Sequence, residues 1–326
     1  MTDWRFKLSQ TVPDNFTVLR GLDQVTPDFG PCALTIGNFD GVHAGHRQIV
    51  RRTVQLAHAN GWKAAALTFD PHPLQVVSPE RAPKLMTTPL ERCEFLREEG
   101  MDEVLILPFD ASTAKIAPEA FIREIVAARL QARAVLVGKD FRFGHKHAGD
   151  TALLAELGFQ LNFETDLIPP VTLRGKRVSS SLIRQLIEAG KVSQACRFLN
   201  RPFHVSGPVV PGQGIGSKQT VPTLNLAPGT GLIPMVGVYV TRTKELDGPR
   251  TWNSITNVGF RPTFDGRSLT IETFLLEPLD AVPANIRVQF LLRLRDERKF
   301  ETADALKTQI LRDVKRAHTY FRRVQK

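Results

Sequence analysis

The sequence predicts an α/β fold, with a doubly wound, mostly parallel sheet followed by a small antiparallel β-barrel and a long terminal helix. Three observations carry this. Between Cys32 and Val137 short apolar runs alternate with segments of helical spacing, the pattern of parallel strands joined by crossover helices. Beyond Asn200 the pattern changes to short strands separated by Gly, Pro and Asp clusters, as in a small barrel. Last, Glu301 to Arg323 reads as one amphipathic helix with Leu306, Ile310, Val314, Ala317 and Phe321 on its buried stripe. A chain of 326 residues holds two such domains, expected at 1–199 and 200–326 with a hinge at Asn200–Phe203.

Taken in order, the first thirty residues are punctuated by Pro13, Gly21, Pro27 and Gly30 and read as a strand or arm. Cys32 to Ile36 is a buried strand. The segment after His43 is a helix closed by Gly61, a plausible left-handed cap. Lys63 to Phe69 is a second buried strand, ending in Asp70-Pro71-His72-Pro73, which the two prolines predict to be an extended loop. Thr88 and Glu91 form a capping box for a helix over Pro89 to Glu99. Glu103 to Leu107, a helix over Glu119 to Leu130 and the strand Ala134 to Val137 follow. In the second domain the expected strands are His204–Val210, Val236–Thr243, Thr251–Asn257, Leu269–Leu276 and Ile286–Leu294.

Composition narrows the class. With 42% hydrophobic and 23% charged residues, and no apolar run long enough to cross a membrane, the chain is expected to be globular and free of membrane contact. Met1 to Phe16 has no signal-peptide pattern, and Cys32, Cys93 and Cys196 fit neither a metal spacing nor a disulfide framework, so the cytoplasm is the expected compartment. The net charge of +10 is spread out, so nucleic acid is not an expected partner; positive potential also serves anionic small molecules. Oligomeric state has no signal in the sequence.

Chemistry concentrates at turns. Gly37-Asn38-Phe39-Asp40-Gly41-Val42-His43-Ala44-Gly45-His46 joins the first buried strand to its helix. Free backbone N–H groups and the positive end of a helix dipole suit phosphate oxygens. Gly37, Gly41 and Gly45 permit close approach, and His43 and His46 share one side of the first helical turn. The alternative is a glycine turn with solvated histidines. His72 reads equally as a rigid residue bonded to backbone or as a ligand contact. In Gly138-Lys139-Asp140-Phe141-Arg142-Phe143-Gly144, the residues alone favour local core for both phenylalanines and a turn cap for Asp140. Ser179, Ser180 and Ser181 are adequate helix caps, whereas Arg184, one turn in, is placed to reach an anion at the helix start.

The whole signature resembles that of the His-x-Gly-His nucleotidyltransferases, and within them the bacterial bifunctional riboflavin kinase/FAD synthetases. The resemblance implies a Rossmann-like nucleotidyltransferase domain that makes FAD from FMN and ATP. It assigns His43, His46 and Arg184 to catalysis, and Gly37, Asn38, Phe39, Gly45 and Ser179–Ser181 to ATP. It assigns His72, Asp140, Phe141 and Phe143 to the flavin. In the barrel, Gly212, Gly214 and Gly216 followed by Pro222-Thr223-Leu224-Asn225 resemble the kinase loop for ATP phosphates, with Thr223 and Asn225 placing Mg²⁺. Glu272, on a strand with Phe274 and Leu276, is unexpected by core logic and takes the family's role of base for the riboflavin 5′-hydroxyl; the alternative is an edge-strand glutamate facing water. The expected substrates and products are therefore riboflavin, ATP, FMN and FAD. Ser217, Thr220, Val221 and Leu224 depart from the family's loop, so a second reading keeps the FAD synthetase and weakens the kinase to a flavin-binding barrel.

Overall fold

The computed structural model describes residues 16–211, 223–227, 229–263 and 266–324. The chain divides into two compact units, one ending at Ser179 and the other beginning at Ser180. The expected phosphate loop with Gly212, Gly214, Gly216, Ser217, Thr220, Val221 and Pro222 lies outside the described residues.

In the first unit β1 (Thr17–Arg20), β2 (Cys32–Ile36), β3 (Lys63–Asp70), β4 (Glu103–Pro108), β5 (Ala132–Gly138) and β6 (Glu164–Ile168) pair in the order β1-β4-β3-β2-β5-β6, all parallel. Every residue of β2 is buried, which is why its sequence is a continuous apolar run rather than an alternation. From β2 the order runs through β3 and β4 on one side and through β5 and β6 on the other. The direction of winding therefore reverses between β2 and β5, and the crevice outside their carboxyl ends is where open α/β sheets take ligands.

Helices cover both faces. On one, α1 (Ala44–Ala59) and α3 (Pro89–Glu98) put Val50, Val54, Ala57, Phe95 and Leu96 against Ala33, Ala66, Val104 and Leu136. On the other, α4 (Pro118–Ala120), prolonged by a π-helical stretch over Phe121–Arg129, and α5 (Thr151–Leu161) pack on Leu34, Leu67, Leu105 and Val135. The helix read as Glu119–Leu130 is thus mostly wider than an α-helix. At its end the Leu130 N–H donates to the carbonyl of Ile125, five residues back, at 2.9 Å. Gly61, at φ 68°, closes α1 as expected: the Trp62 N–H bonds the Ala57 carbonyl at 2.9 Å. The Thr88/Glu91 capping box is present. The Asp70–Pro73 segment is not the extended loop expected from its prolines. His72 caps a short helix, α2 (Pro73–Val77), because Pro73 supplies an N1 residue that has no N–H to satisfy. A small hairpin, β7 (Thr172–Leu173) and β8 (Lys176–Arg177), ends the unit.

The second unit opens with α6 (Ser180–Glu188) and α7 (Val192–Leu199). Strands β9 (Phe203–Val210), β10 (Thr223–Leu226), β11 (Gly237–Glu245), β12 (Thr251–Thr263), β13 (Gly266–Leu275) and β14 (Asn285–Arg295) close an antiparallel barrel in the order β10-β13-β12-β11-β14-β9. The terminal helix α8 (Ala303–Val324) packs Ala317 and Phe321 on Val238, Val240, Ile255 and Leu294. Sequence reading missed β10, because its four residues follow a Gly/Pro-rich stretch that reads as loop. Thr223 and Asn225 consequently stand on a strand.

The face of the barrel turned away from α8 carries hydroxyls instead of a purely apolar filling. Thr241, Thr243, Ser254, Thr256 and Thr273 are all fully buried and form one chain: Thr273 to Thr256 at 2.9 Å, then Thr241, Ser254 and Thr243, each 2.8 Å from the last. Thr256 bonds both Thr273 and Thr241, so Thr256→Val keeps shape and removes both links. It should destabilise the protein by about 1–3 kcal/mol, read as a lower urea midpoint at unchanged m-value.

Candidate active sites

The turn after β2 is held at several backbone groups. The Gly37 N–H donates to the Leu67 carbonyl at 3.1 Å, and the Asn38 carbonyl accepts from the Thr68 hydroxyl at 3.3 Å. Asp40, 1% exposed, takes the Met86 N–H at 2.9 Å, the Thr87 N–H at 3.1 Å and the Thr87 hydroxyl at 3.1 Å. The same Thr87 oxygen accepts the Gly41 N–H at 3.1 Å, and the buried Arg47 Nε donates to the Val42 carbonyl while its Nη1 pairs with Glu99. This clamping sustains left-handed backbone at Phe39 (φ 46°), Gly41 (φ 78°) and Val42 (φ 33°). For the β-branched Val42 that conformation is a real outlier, of the sort that persists only where surroundings over-determine it.

The turn delivers two imidazoles. His43 is the N-cap of α1, its Nδ1 accepting the His46 N–H at 3.2 Å. With Nδ1 used as an acceptor, the neutral ring carries its proton on Nε2, which makes Nε2 a donor. The two rings stack with centroids 3.7 Å apart, and Phe39 meets His46 edge-on at 5.3 Å. A Cβ on Gly45 would stand 3.3 Å from the His43 ring, so glycine there leaves the imidazole its place. Phe39 itself is 1% exposed and belongs to the core under α1, so what it can offer a nucleotide is backbone.

Two further strand ends of the same sheet bring the other expected residues to this edge. Beyond β3, His72 is buried, accepts the Leu74 N–H on Nδ1 at 3.2 Å and places Nε2 3.3 Å from the Asn38 side-chain amide. The backbone-bonded reading of His72 therefore describes one nitrogen, and contact with the signature turn the other. Beyond β5, Asp140 is exposed and pairs with Arg177 of the β7–β8 hairpin at 2.6 Å. Phe143 lies in the core, 5.5 Å from Phe141 in a stacked pair, and half-buried Phe141 retains accessible surface. Ser179 ends the first unit, whereas Ser180, Ser181 and Arg184 lie on α6 in the second.

On the barrel, β13 lies between β10 and β12, so Glu272 is not an edge residue. In register it stands opposite Asn225 on one side and Asn257 on the other, and Thr223 stands opposite Phe274. Thr223, Asn225 and Glu272 therefore share one face, half-buried, with the apolar Leu224, Leu226, Ile271 and Leu275 on the other. Asn257, expected only as the last residue of a strand, joins this row unpredicted. Glu297 is also drawn to the face: a Cβ on Gly259 would fall 2.0 Å from its Oε1. Hydroxyl, amide and carboxylate oxygens are the donor set that Mg²⁺ accepts alongside substrate phosphates.

Comparison with known proteins matches both halves of the chain. The family model for FAD synthetase matches residues 26–182, and that for riboflavin kinase matches residues 199–321. The bifunctional riboflavin kinase/FMN adenylyltransferase of Escherichia coli K12 is 33% identical over 307 residues, 93% of this chain and 97% of that protein. The Pseudomonas fluorescens protein of the same name is 33% identical across 91% of this chain and 95% of its own length. A crystal structure described as a macrolide-efflux protein from Streptococcus pneumoniae shares the fold, with a TM-score of 0.83 and 26% identity over 93% of this chain and 99% of that one. Among the described residues no helix is long and apolar enough to cross a membrane.

The Asp40 clamp makes a direct prediction. Asp40→Ala strands two buried N–H groups and a hydroxyl, so it should cost about 2–4 kcal/mol in chemical denaturation.

Proposed function

The chain belongs to the family of bifunctional riboflavin kinase/FMN adenylyltransferases, and from that membership we propose which residues serve each reaction. The protein phosphorylates riboflavin to FMN and adenylylates FMN to FAD, with ATP as substrate in both. A match to the kinase model over the whole barrel does not favour the reading in which the kinase is silent. We assign FAD synthesis to residues 1–199 and riboflavin phosphorylation to residues 200–326.

In adenylyl transfer an FMN phosphate oxygen attacks the α-phosphorus of ATP and pyrophosphate leaves. No protein nucleophile is needed, so the site has to position and neutralise. The observation that supports this reading is the His43 Nδ1 bond to the His46 N–H, which leaves Nε2 a donor at the N-terminus of α1, where phosphate oxygens would be favoured. His46 lies stacked beside it, Gly37, Asn38, Gly45 and the Phe39 backbone line the nucleotide, and Ser179–Ser181 with Arg184 take further phosphate oxygens. His72, Asp140 and Phe141 face the flavin, with Phe143 as support behind Phe141.

In the kinase reaction the riboflavin 5′-hydroxyl attacks the γ-phosphorus, ADP leaves, and Glu272 takes the hydroxyl proton. Thr223 and Asn225 would hold Mg²⁺, and Gly212, Gly214 and Gly216 would approach the phosphates. When bound, the cation supplies charge neutralisation on the triphosphate. The three free cysteines fit a reducing cytoplasm.

Two variants separate the sites. His43→Ala should lower FMN adenylylation about 10²- to 10³-fold, the effect of losing one preorganised donor, and spare riboflavin phosphorylation. Glu272→Gln should lower riboflavin phosphorylation about 10²- to 10⁴-fold and spare adenylylation. Product chromatography reads both. In the same assay EDTA should stop both reactions and added Mg²⁺ restore them; persistence of either in EDTA contradicts the metal assignment.

A further inference from the structure

Arg92 is a buried charge that neither reaction uses. It lies on α3, 1% exposed, among the largest side chains fully enclosed in the protein. Burial pulls its pKa down, and Asp40 and Asp70 oppose that pull. Its Nε has no hydrogen-bond partner among the described residues. An apolar side chain of similar size would fill this space without a desolvation cost, so packing alone does not account for an arginine here.

What the guanidinium does is directional. Arginine only donates, so Nη1, 2.8 Å from the Thr68 hydroxyl oxygen, makes that oxygen an acceptor. The Thr68 proton is then free to point at one target, the Asn38 carbonyl 3.3 Å away. The same Nη1 lies 3.1 Å from the Phe69 carbonyl, three residues before His72. One buried group therefore restrains the signature turn through Thr68 and the end of β3 directly, and Asn38 and His72 are the side chains that meet between those two segments. The segment entering α3 grips the turn a second time, through the Met86 and Thr87 bonds to Asp40.

We propose that Arg92 is a positioning residue for adenylyl transfer, acting through the Thr68 hydroxyl to hold the Asn38 turn and the His72 segment in one arrangement. The proposal rests on the assignment of that turn to ATP given above.

The test uses the full-length chain, whose kinase reaction is an internal control. Thr68→Val removes the relay and leaves the arginine, Thr68→Ser keeps the hydroxyl, and Arg92→Lys keeps the charge without the two-point contact. Thr68→Val and Arg92→Lys should each lower kcat for FMN adenylylation about tenfold, with KM for ATP changed less than threefold and riboflavin phosphorylation within twofold of wild type. Thr68→Ser should stay within twofold. The double variant Thr68→Val/Arg92→Lys should lose about tenfold, not a hundredfold, because both changes break one relay. If Arg92→Lys does not fold, the Thr68 pair decides alone: equal adenylylation in Thr68→Val and Thr68→Ser overturns the proposal. Multiplicative losses in the double variant, or a parallel fall in riboflavin phosphorylation, overturn it too. His43→Ala assayed beside them separates the two levels. A loss there with none in Thr68→Val sinks the relay and leaves the site assignment standing, whereas no loss in His43→Ala sinks the assignment itself.

Discussion

A single buried carboxylate determines whether the first site can exist. Asp40 accepts from two backbone N–H groups and one hydroxyl of the 86–87 segment, and this ties the turn after β2 to the start of α3. Without such an anchor, the three departures from ordinary backbone at Phe39, Gly41 and Val42 would relax, since each costs roughly 1–3 kcal/mol where no glycine relieves it. The strain has a use. It turns the chain sharply enough that α1 begins at Ala44 with His43 as its cap, at the point where the winding of the sheet reverses. The fixed imidazole tautomer is a consequence of that cap. Stability and the phosphate recognition proposed for this turn therefore rest on the same few bonds.

The barrel solves a different problem. Adenylyl transfer needs donors around a pentavalent phosphorus, whereas phosphorylating an alcohol also needs somewhere for a proton to go. The register of β10, β13 and β12 sets Glu272 between two asparagines on one face, flanked by a threonine two residues along. Antiparallel pairing makes that row from residues distant in sequence, and the inner hydroxyl chain and the α8 contacts hold the strands that carry it. Neither reaction passes through a covalent enzyme intermediate in this account, so no nucleophile activated by a neighbouring base is needed.

Much of this was legible beforehand, for reasons that differ by residue. The strand Cys32–Ile36 and the capping box at Thr88 were readable because burial and capping leave local patterns. His43 and His46 could be placed on the first helical turn because their spacing and the glycines before them mark a strand-turn-helix, while their role came from the resemblance of the whole motif. The surroundings of Phe143 were not legible, because an aromatic after a strand looks the same whether its ring faces core or solvent, and its burial against Phe141 is a tertiary fact. The Pro-His-Pro segment misled because a proline that ends one element also starts a helix well. β10 was hidden by the composition before it, and with it the fact that Thr223 and Asn225 alternate on a strand. Arg92 had no signal, since a lone arginine inside a helical pattern normally points to water, and its burial is a tertiary fact.

The central claim is that one chain carries out two chemically distinct transfers from ATP, and position-labelled ATP tests it most directly. The wild-type protein is given riboflavin with γ-phosphate-labelled ATP, and separately FMN with α-phosphate-labelled ATP, and the flavins are isolated. The account predicts label in FMN from the first reaction and in FAD from the second. Unlabelled flavin in either reaction would contradict it.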